Sequence, residues 1–209
     1  MKGVKSRAGS LRADRAELTR RRIEASARAL FAGRGYAAST LREIADEAGV
    51  AVQSVYAIYG SKAGILRALR ESVRDDPEAV AAFARTFDAP DAGAALGAFA
   101  RSIRLRWERG GDIAAIHAAA AAADPEVRAE LEAVLAERRR GIGRLARALA
   151  ELDPALGAAS RIAAIADALT LPEVYAELTS IHGWSPDAYE AWLAAALRHE
   201  ILRLEPSPR

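Results

Sequence analysis

The chain has 209 residues, 51% apolar and 28% charged, enough for one substantial core or for a small head and a larger body. It has no cysteine, and its three histidines, His117, His182 and His199, are scattered, which argues against disulfides, thiolate metal sites and a metalloenzyme centre. The net charge of +2 hides an asymmetry: residues 1–70 hold 14 Lys and Arg against 6 Asp and Glu, a balance of +8, whereas residues 71–209 hold 16 against 22, a balance of −6. A positive head beside an acidic body is the distribution a phosphate-binding domain needs, because neutralising phosphates releases counterions. No uncharged apolar run approaches the roughly 18 residues that span a bilayer, and the arginine-rich amino terminus lacks a signal-peptide core, so a cytoplasmic protein without membrane contact is expected.

Residues 1–13, with Lys2, Lys5, Arg7 and Arg12 among Gly and Ser, show no apolar periodicity and read as a flexible basic arm. A first helix is predicted from about Asp14 to Arg34, with Ile23, Ala27, Leu30 and Phe31 on one face and Arg20, Arg21, Arg22 and Arg28 elsewhere, some of them within reach of phosphates. Thr40 and Glu43 have capping-box spacing, which starts a second helix near Leu41. Leu41, Ile44, Ala45 and Ala48 share one face of that helix, and Gly49 supplies its left-handed stop. A third short helix from about Val52 turns Val55 and Tyr59 inward and leaves Gln53, Ser54, Tyr56 and Ala57 outward or sideways. Two short helices joined by a glycine turn are a helix-turn-helix. Ser61 can cap a fourth helix carrying Ile65, Leu66, Leu69 and Val73, which Asp75-Asp76-Pro77 ends.

Further helices are predicted at about 78–87, 92–109, 112–123, 126–151, 156–170, 172–182 and 186–204, with a break at Thr170-Leu171-Pro172-Glu173. No strand pattern competes, so the fold class is all-α. Ser185-Pro186-Asp187 starts the last helix, whose stripe runs through Tyr189, Trp192, Leu193, Ala196, Leu197, Ile201 and Leu204. A preceding stripe, Ile162, Ile165, Ala166 and Leu169, can lie beside it.

The amino-terminal third resembles the TetR-type transcriptional regulators. Phe31, Gly35, Tyr36, Ser39, Thr40, Ile44, Ala45, Ala48, Gly49 and Val50 match the family's first signature, and Gln53, Ser54, Val55, Tyr56, Tyr59, Ser61, Lys62, Ile65 and Leu66 continue it in order and spacing. Two departures are Ala51, where the family has Ser and a possible cap or phosphate contact, and Ala63, where it has an acidic residue. The resemblance implies a three-helix DNA-binding head (14–60), a connecting helix (61–77) and an effector-binding and dimerisation body (78–209). It implies a repressor that binds an inverted repeat of double-stranded DNA as a homodimer and is released by a small molecule, by default apolar or aromatic. A constitutive or architectural DNA-binding protein without an effector is the alternative.

On that reading Gln53 is the first base reader, since its amide matches the N7 and N6 pattern of adenine, and Val52 and Ala57 suit thymine methyl groups. Thr40, Ser54, Tyr56, Tyr59 and Lys62 are the phosphate candidates. Phe99, Ile103 and Trp107, spaced four apart, are candidate pocket residues, with His117 and Tyr175 added to them. Ile162, Ile165, Leu169, Tyr189, Trp192, Leu193, Ala196, Leu197 and Ile201 are the dimer candidates that the resemblance supplies. No cofactor is implied, and no paired carboxylates, nucleophile elbow or phosphate loop suggest an enzyme. The run Arg138-Arg139-Arg140, inside a helix and flanked by Glu137, reads as a solvated face.

Overall fold

The computed structural model describes residues 4–202, and among these every regular element is helical. In chain order the elements are α1 (Val4–Arg34), α2 (Leu41–Ala48), α3 (Val52–Tyr59), α4 (Lys62–Arg74), α5 (Pro77–Ala84), α6 (Ala92–Ala121) and α7 (Pro125–Leu152). A 3₁₀ turn (Pro154–Leu156), α8 (Ala159–Leu169), α9 (Pro172–Ala176), a π turn (Glu177–Ile181) and α10 (Pro186–Leu202) complete them. No helix among the described residues is long and apolar enough to cross a membrane.

Local chemistry accounts for most boundaries. Asp76 caps α5 by accepting from the amides of Glu78 and Ala79, directly before Pro77 at the first helical position. Pro172 has no amide hydrogen to donate back into α8, and so it separates α8 from α9 at the expected place. One expectation needs correction. The segment expected to be a flexible arm is helical from Val4, because Ala, Arg, Lys and Leu all favour helix and no proline interrupts them; Lys2 lies outside the described residues. The helices expected at 92–109 and 112–123 join end to end as α6, with the kink between them at Gly110 (φ −142°, ψ 16°). Leu204 also lies outside the described residues.

The chain divides into two compact units, the first comprising the residues up to Glu71 together with Ile116–Arg128, the second Ser72–Ala115 and the residues from Ala129 on. In the first, Ile23, Ala27 and Phe31 of α1, Ile44, Ala45 and Ala48 of α2, Val55 of α3, and Ile65, Leu66 and Leu69 of α4 are buried. In the second, one cluster gathers Leu96, Phe99 and Ile103 of α6, Leu145 and Leu149 of α7, Ile162 and Ala166 of α8, Tyr175 of α9, and Tyr189, Leu193, Leu197 and Ile201 of α10. Truncating one of these large side chains to alanine should cost about 2–5 kcal/mol.

That cluster corrects the dimer assignment. Ile162, Tyr189, Leu193, Leu197 and Ile201 are each 0% exposed within a single chain, so they fill its own core and have no surface left for a partner. Ile165, Leu169, Trp192 and Ala196 are only partly buried. At helical spacing they flank the core stripe, which the sequence pattern could not separate from it.

Gly110 is where the end of α4 meets α6. A Cβ there would lie 2.6 and 2.7 Å from the two Val73 methyl carbons and 3.1 Å from its Cβ. Valine is stiff at χ1, so it cannot swing aside. Gly110→Ala is expected to lower stability by about 1–3 kcal/mol, as overpacking does. Val73→Ala in the same chain should recover most of that loss, with chemical denaturation of the two variants as the measurement.

Candidate nucleic-acid interface

The interface is built from the first unit upward. Thr40 adopts extended backbone before α2, its Oγ1 accepts from the Glu43 amide at 3.2 Å, and the Glu43 carboxylate accepts from the Thr40 amide at 2.9 Å and from its hydroxyl at 2.8 Å. Those bonds hold the Glu43 carboxyl below its ordinary range, the Thr40 hydroxyl contributing most. Gly49 closes α2 in the left-handed conformation (φ 62°, ψ 44°), and the chain enters α3 through Ala51, which offers no side-chain cap. The Ser61 hydroxyl accepts from the Gly64 amide at the start of α4. A Cβ on Gly64 would sit 1.9 Å from the Tyr59 carbonyl oxygen, so only glycine lets α4 turn this closely off the end of α3.

α3 has a clear orientation. Val55 is fully buried, and at 3.6 residues per turn Gln53 and Ala57 both lie about 160° around the helix from it. Both are exposed, with Tyr56 (56% exposed) on one flank and Ser54, half-buried, on the other. Val52 is half-buried and sits nearer the Val55 side, at the edge of the presented face.

Three of the five phosphate candidates have other partners. Lys62 points its ammonium at the carbonyls of Tyr36 (2.8 Å), Ser39 (2.8 Å) and Ala37 (3.5 Å), and lies 4.5 Å from the centre of the Tyr36 ring. An ammonium has three N–H donors, so the backbone of the α1–α2 connection occupies it; Lys62 is a structural tie rather than a phosphate ligand. Tyr59 donates to the Glu24 carboxylate at 2.9 Å, and burial followed by that bond pushes its phenol above the usual range. The Thr40 hydroxyl is held by Glu43. Ser54 and Tyr56 keep hydroxyls without a side-chain hydrogen bond among the described residues.

Of the arginines, Arg21 pairs with Glu17 (2.8 Å) and Arg34 with Glu43 (3.1 Å). Arg42, exposed in the first turn of α2, has no ion pair among the described residues. Sequence reading passed over Arg42, although a cation placed just inside a helix-turn-helix cap was a readable signal. The Arg22 guanidinium lies over Gly49, 2.5 Å from where a Cβ would be.

The first unit also contains the turn between α6 and α7. Tyr36 donates to Asp124 Oδ2 at 2.8 Å, while Asp124 Oδ1 caps α7 by accepting from the amides of Glu126 (3.0 Å) and Val127 (3.4 Å). The tyrosine bond, ahead of the cap, holds the Asp124 carboxyl below its ordinary range. The stability it contributes is therefore complete above the ordinary aspartate range and is lost as pH falls through the depressed folded value. Arg67 pairs with Glu126 at 2.9 Å in the same region.

A basic helix, a capped helix and a short helix presenting Gln53 and Ala57 are the parts of a helix-turn-helix reader, and residues 23–69 match the family model for bacterial regulatory proteins, tetR family. This segment carries the signature of the TetR family of transcriptional regulators. Among solved structures it is similar to the TetR-family regulator PfmR of Thermus thermophilus (21% identity over 90% of this chain and 97% of that one, TM-score 0.64). It is also similar to NalD, the secondary repressor of the MexAB-OprM multidrug efflux pump in Pseudomonas aeruginosa (21%, 91% and 98%, TM-score 0.69). A third is a transcriptional regulator of Saccharomonospora viridis in complex with choline (24%, 87% and 96%, TM-score 0.62). At these identities the likeness establishes the TetR-like fold. No curated protein matches the chain.

Of the pocket candidates, Phe99, Ile103 and Tyr175 belong to the core cluster of the second unit, and Trp107 packs against it while donating to the Thr170 carbonyl at 3.1 Å. His117 is buried in the first unit and does not join them.

Two substitutions separate reading from positioning. Gln53→Ala is expected to flatten preference at one or two base positions, by about 1–3 kcal/mol, with little change in non-specific affinity. Lys62→Met should lower stability by about 1.5–3 kcal/mol and leave the salt dependence of DNA binding unchanged, whereas loss of a phosphate contact would make that slope shallower by about one unit. Thermal unfolding and salt-titrated fluorescence anisotropy measure the two effects.

Proposed function

We propose that this chain is a TetR-family repressor that binds an inverted-repeat operator as a homodimer and leaves it when a small molecule binds its second unit. The observation that carries the reading is the presentation of Gln53 and Ala57 opposite fully buried Val55, on a segment whose charge balance is +8. Side chains at the exposed face of a second helix-turn-helix helix meet base edges in the major groove. Ser54, Tyr56, Arg42 and the exposed arginines of α1 hold the phosphates. The DNA-binding domain corresponds to residues 14–60, the connecting helix to 61–77, and the sensing and dimerising body to 78–209.

Dimerisation uses the faces of α8 and α10 that the core leaves partly open, Ile165, Leu169, Trp192 and Ala196. Two recognition helices then stand about one DNA turn, roughly 34–36 Å, apart. NalD, a repressor, and the choline-bound regulator of Saccharomonospora viridis support the ligand-released reading by likeness of fold. The coupling runs through Val73 against Gly110: a ligand that moves α6 near Trp107 moves the end of α4, whose first residue, Lys62, is tied to the α1–α2 connection. By linkage, DNA must weaken ligand binding by the factor with which the ligand weakens DNA binding.

Repeated selection from a random DNA pool at two salt concentrations tests the reading. Enrichment of an inverted repeat is the expected result. Salt-sensitive binding with no enriched motif would leave only an architectural DNA binder.

A further inference from the structure

Arginines on α6 divide into two kinds. Arg101 pairs with Glu78 (3.3 Å), Arg104 with Glu108, Asp187 and Glu190 (2.6, 3.1 and 3.0 Å), and Arg109 with Asp76 and with Glu78. Arg106 has neither an ion pair nor a hydrogen bond among the described residues, although it is partly buried. Its place is on the inward stripe of α6, following Phe99 and Ile103 by seven and three positions, and burial disfavours its charged form. The exposed Glu137 is within electrostatic reach but forms no bridge to it. An unmatched guanidinium on an apolar face is costly unless something anionic completes it.

Other elements bring polar groups to the same region. Arg138, which the sequence placed on a solvated face, is instead 17% exposed; it pairs with Asp167 and donates to the Asp167 carbonyl (2.9 Å) and Thr170 Oγ1 (2.8 Å). It precedes Ile142, Leu145 and Leu149 at helical spacing, and it lies within electrostatic reach of Arg106, Arg139, Glu173 and Tyr189. Tyr189 is 0% exposed, yet its hydroxyl has no hydrogen-bond partner among the described residues, and its ring meets that of Tyr175 edge-on at 4.8 Å. Buried hydroxyls are nearly always paired, and no protein group among the described residues pairs with this one.

We infer that the second unit takes an anionic small molecule with an apolar body, its charged group held by Arg106 and by the Tyr189 hydroxyl, its apolar part against Phe99, Ile103 and Trp107. Arg138, neutralised by Asp167, borders the site and adds a donor direction without a second unmatched charge. This inference rests on the ligand-sensing reading of the same unit and sharpens it from an apolar effector to an acidic one.

Two probes that share a ring system make the test: 1-anilinonaphthalene-8-sulfonate and its neutral counterpart N-phenyl-1-naphthylamine, each titrated by fluorescence against the full chain. The sulfonate should bind the wild type more tightly, and Arg106→Gln should weaken it roughly tenfold while changing the neutral probe less than about twofold. Arg106→Lys should fall between, and Tyr189→Phe should weaken only the sulfonate without loss of thermal stability, since the hydroxyl has no protein partner to lose. Equal binding of both probes, no binding of either, or a sulfonate affinity indifferent to Arg106 would overturn the inference. Anisotropy on the selected DNA keeps the two ideas apart. Arg106-dependent binding that leaves DNA affinity unchanged would keep the anion site and remove ligand release, while release by the neutral probe alone would keep release and remove the anion site.

Discussion

The ammonium of Lys62 has three protons, and the carbonyls of the α1–α2 connection take them. Much else in the head follows from that arrangement. The connection it fixes carries Tyr36, whose ring packs on Phe31 at 5.1 Å and whose hydroxyl reaches Asp124, and it delivers Thr40 to the start of α2. Because Lys62 is also the first residue of α4, one side chain ties the connecting helix to the loop that sets the angle of the reader. Gly64, two residues on, brings α4 against the Tyr59 carbonyl at the end of α3. The outward pose of Gln53 and Ala57 is thus set from both ends of the helix-turn-helix by contacts within the head itself.

The second unit distributes its charges by a simple rule. Arginines at the rim of α6 are matched by acids on α5 and α10, which costs little and orders the surface modestly. On the inward stripe the matching stops, and among the described residues neither the Arg106 guanidinium nor, on α10, the buried Tyr189 phenol has a partner. A buried polar group without a partner does not stabilise a core, and perturbed titratable groups cluster at functional sites. Arg106 stands about one turn before the Gly110 kink, against which Val73 packs.

The head was readable from its sequence because its signals are local. The Thr40–Glu43 box, the Gly49 stop and the Asp75-Asp76-Pro77 break after the fourth helix depend on neighbours a few residues away, and each is present where the spacing put it. Side-chain partners across the fold were not readable. Nothing in a one-dimensional pattern distinguishes a lysine that will meet DNA from one that caps three carbonyls 23 to 26 residues earlier. The same limit explains α10, where the apolar stripe was visible but its division was not: Tyr189, Leu193, Leu197 and Ile201 turn into the chain's own core, and Trp192 and Ala196 stand beside them. Arg138 was misplaced for a related reason, since a run of three arginines looks uniform until the helix rotates one of them toward Asp167.

The central claim is that two copies of this head are held at a spacing fixed by the dimer and matched to DNA. The absence of cysteine from the chain permits a clean measurement: Glu47→Cys, an exposed position on α2, spin-labelled and examined by pulsed dipolar spectroscopy, free and on the selected DNA. The account predicts an inter-protomer distance in both states that narrows to a single distribution on DNA. A protein that shows no inter-protomer dipolar signal on DNA that it binds specifically would contradict it.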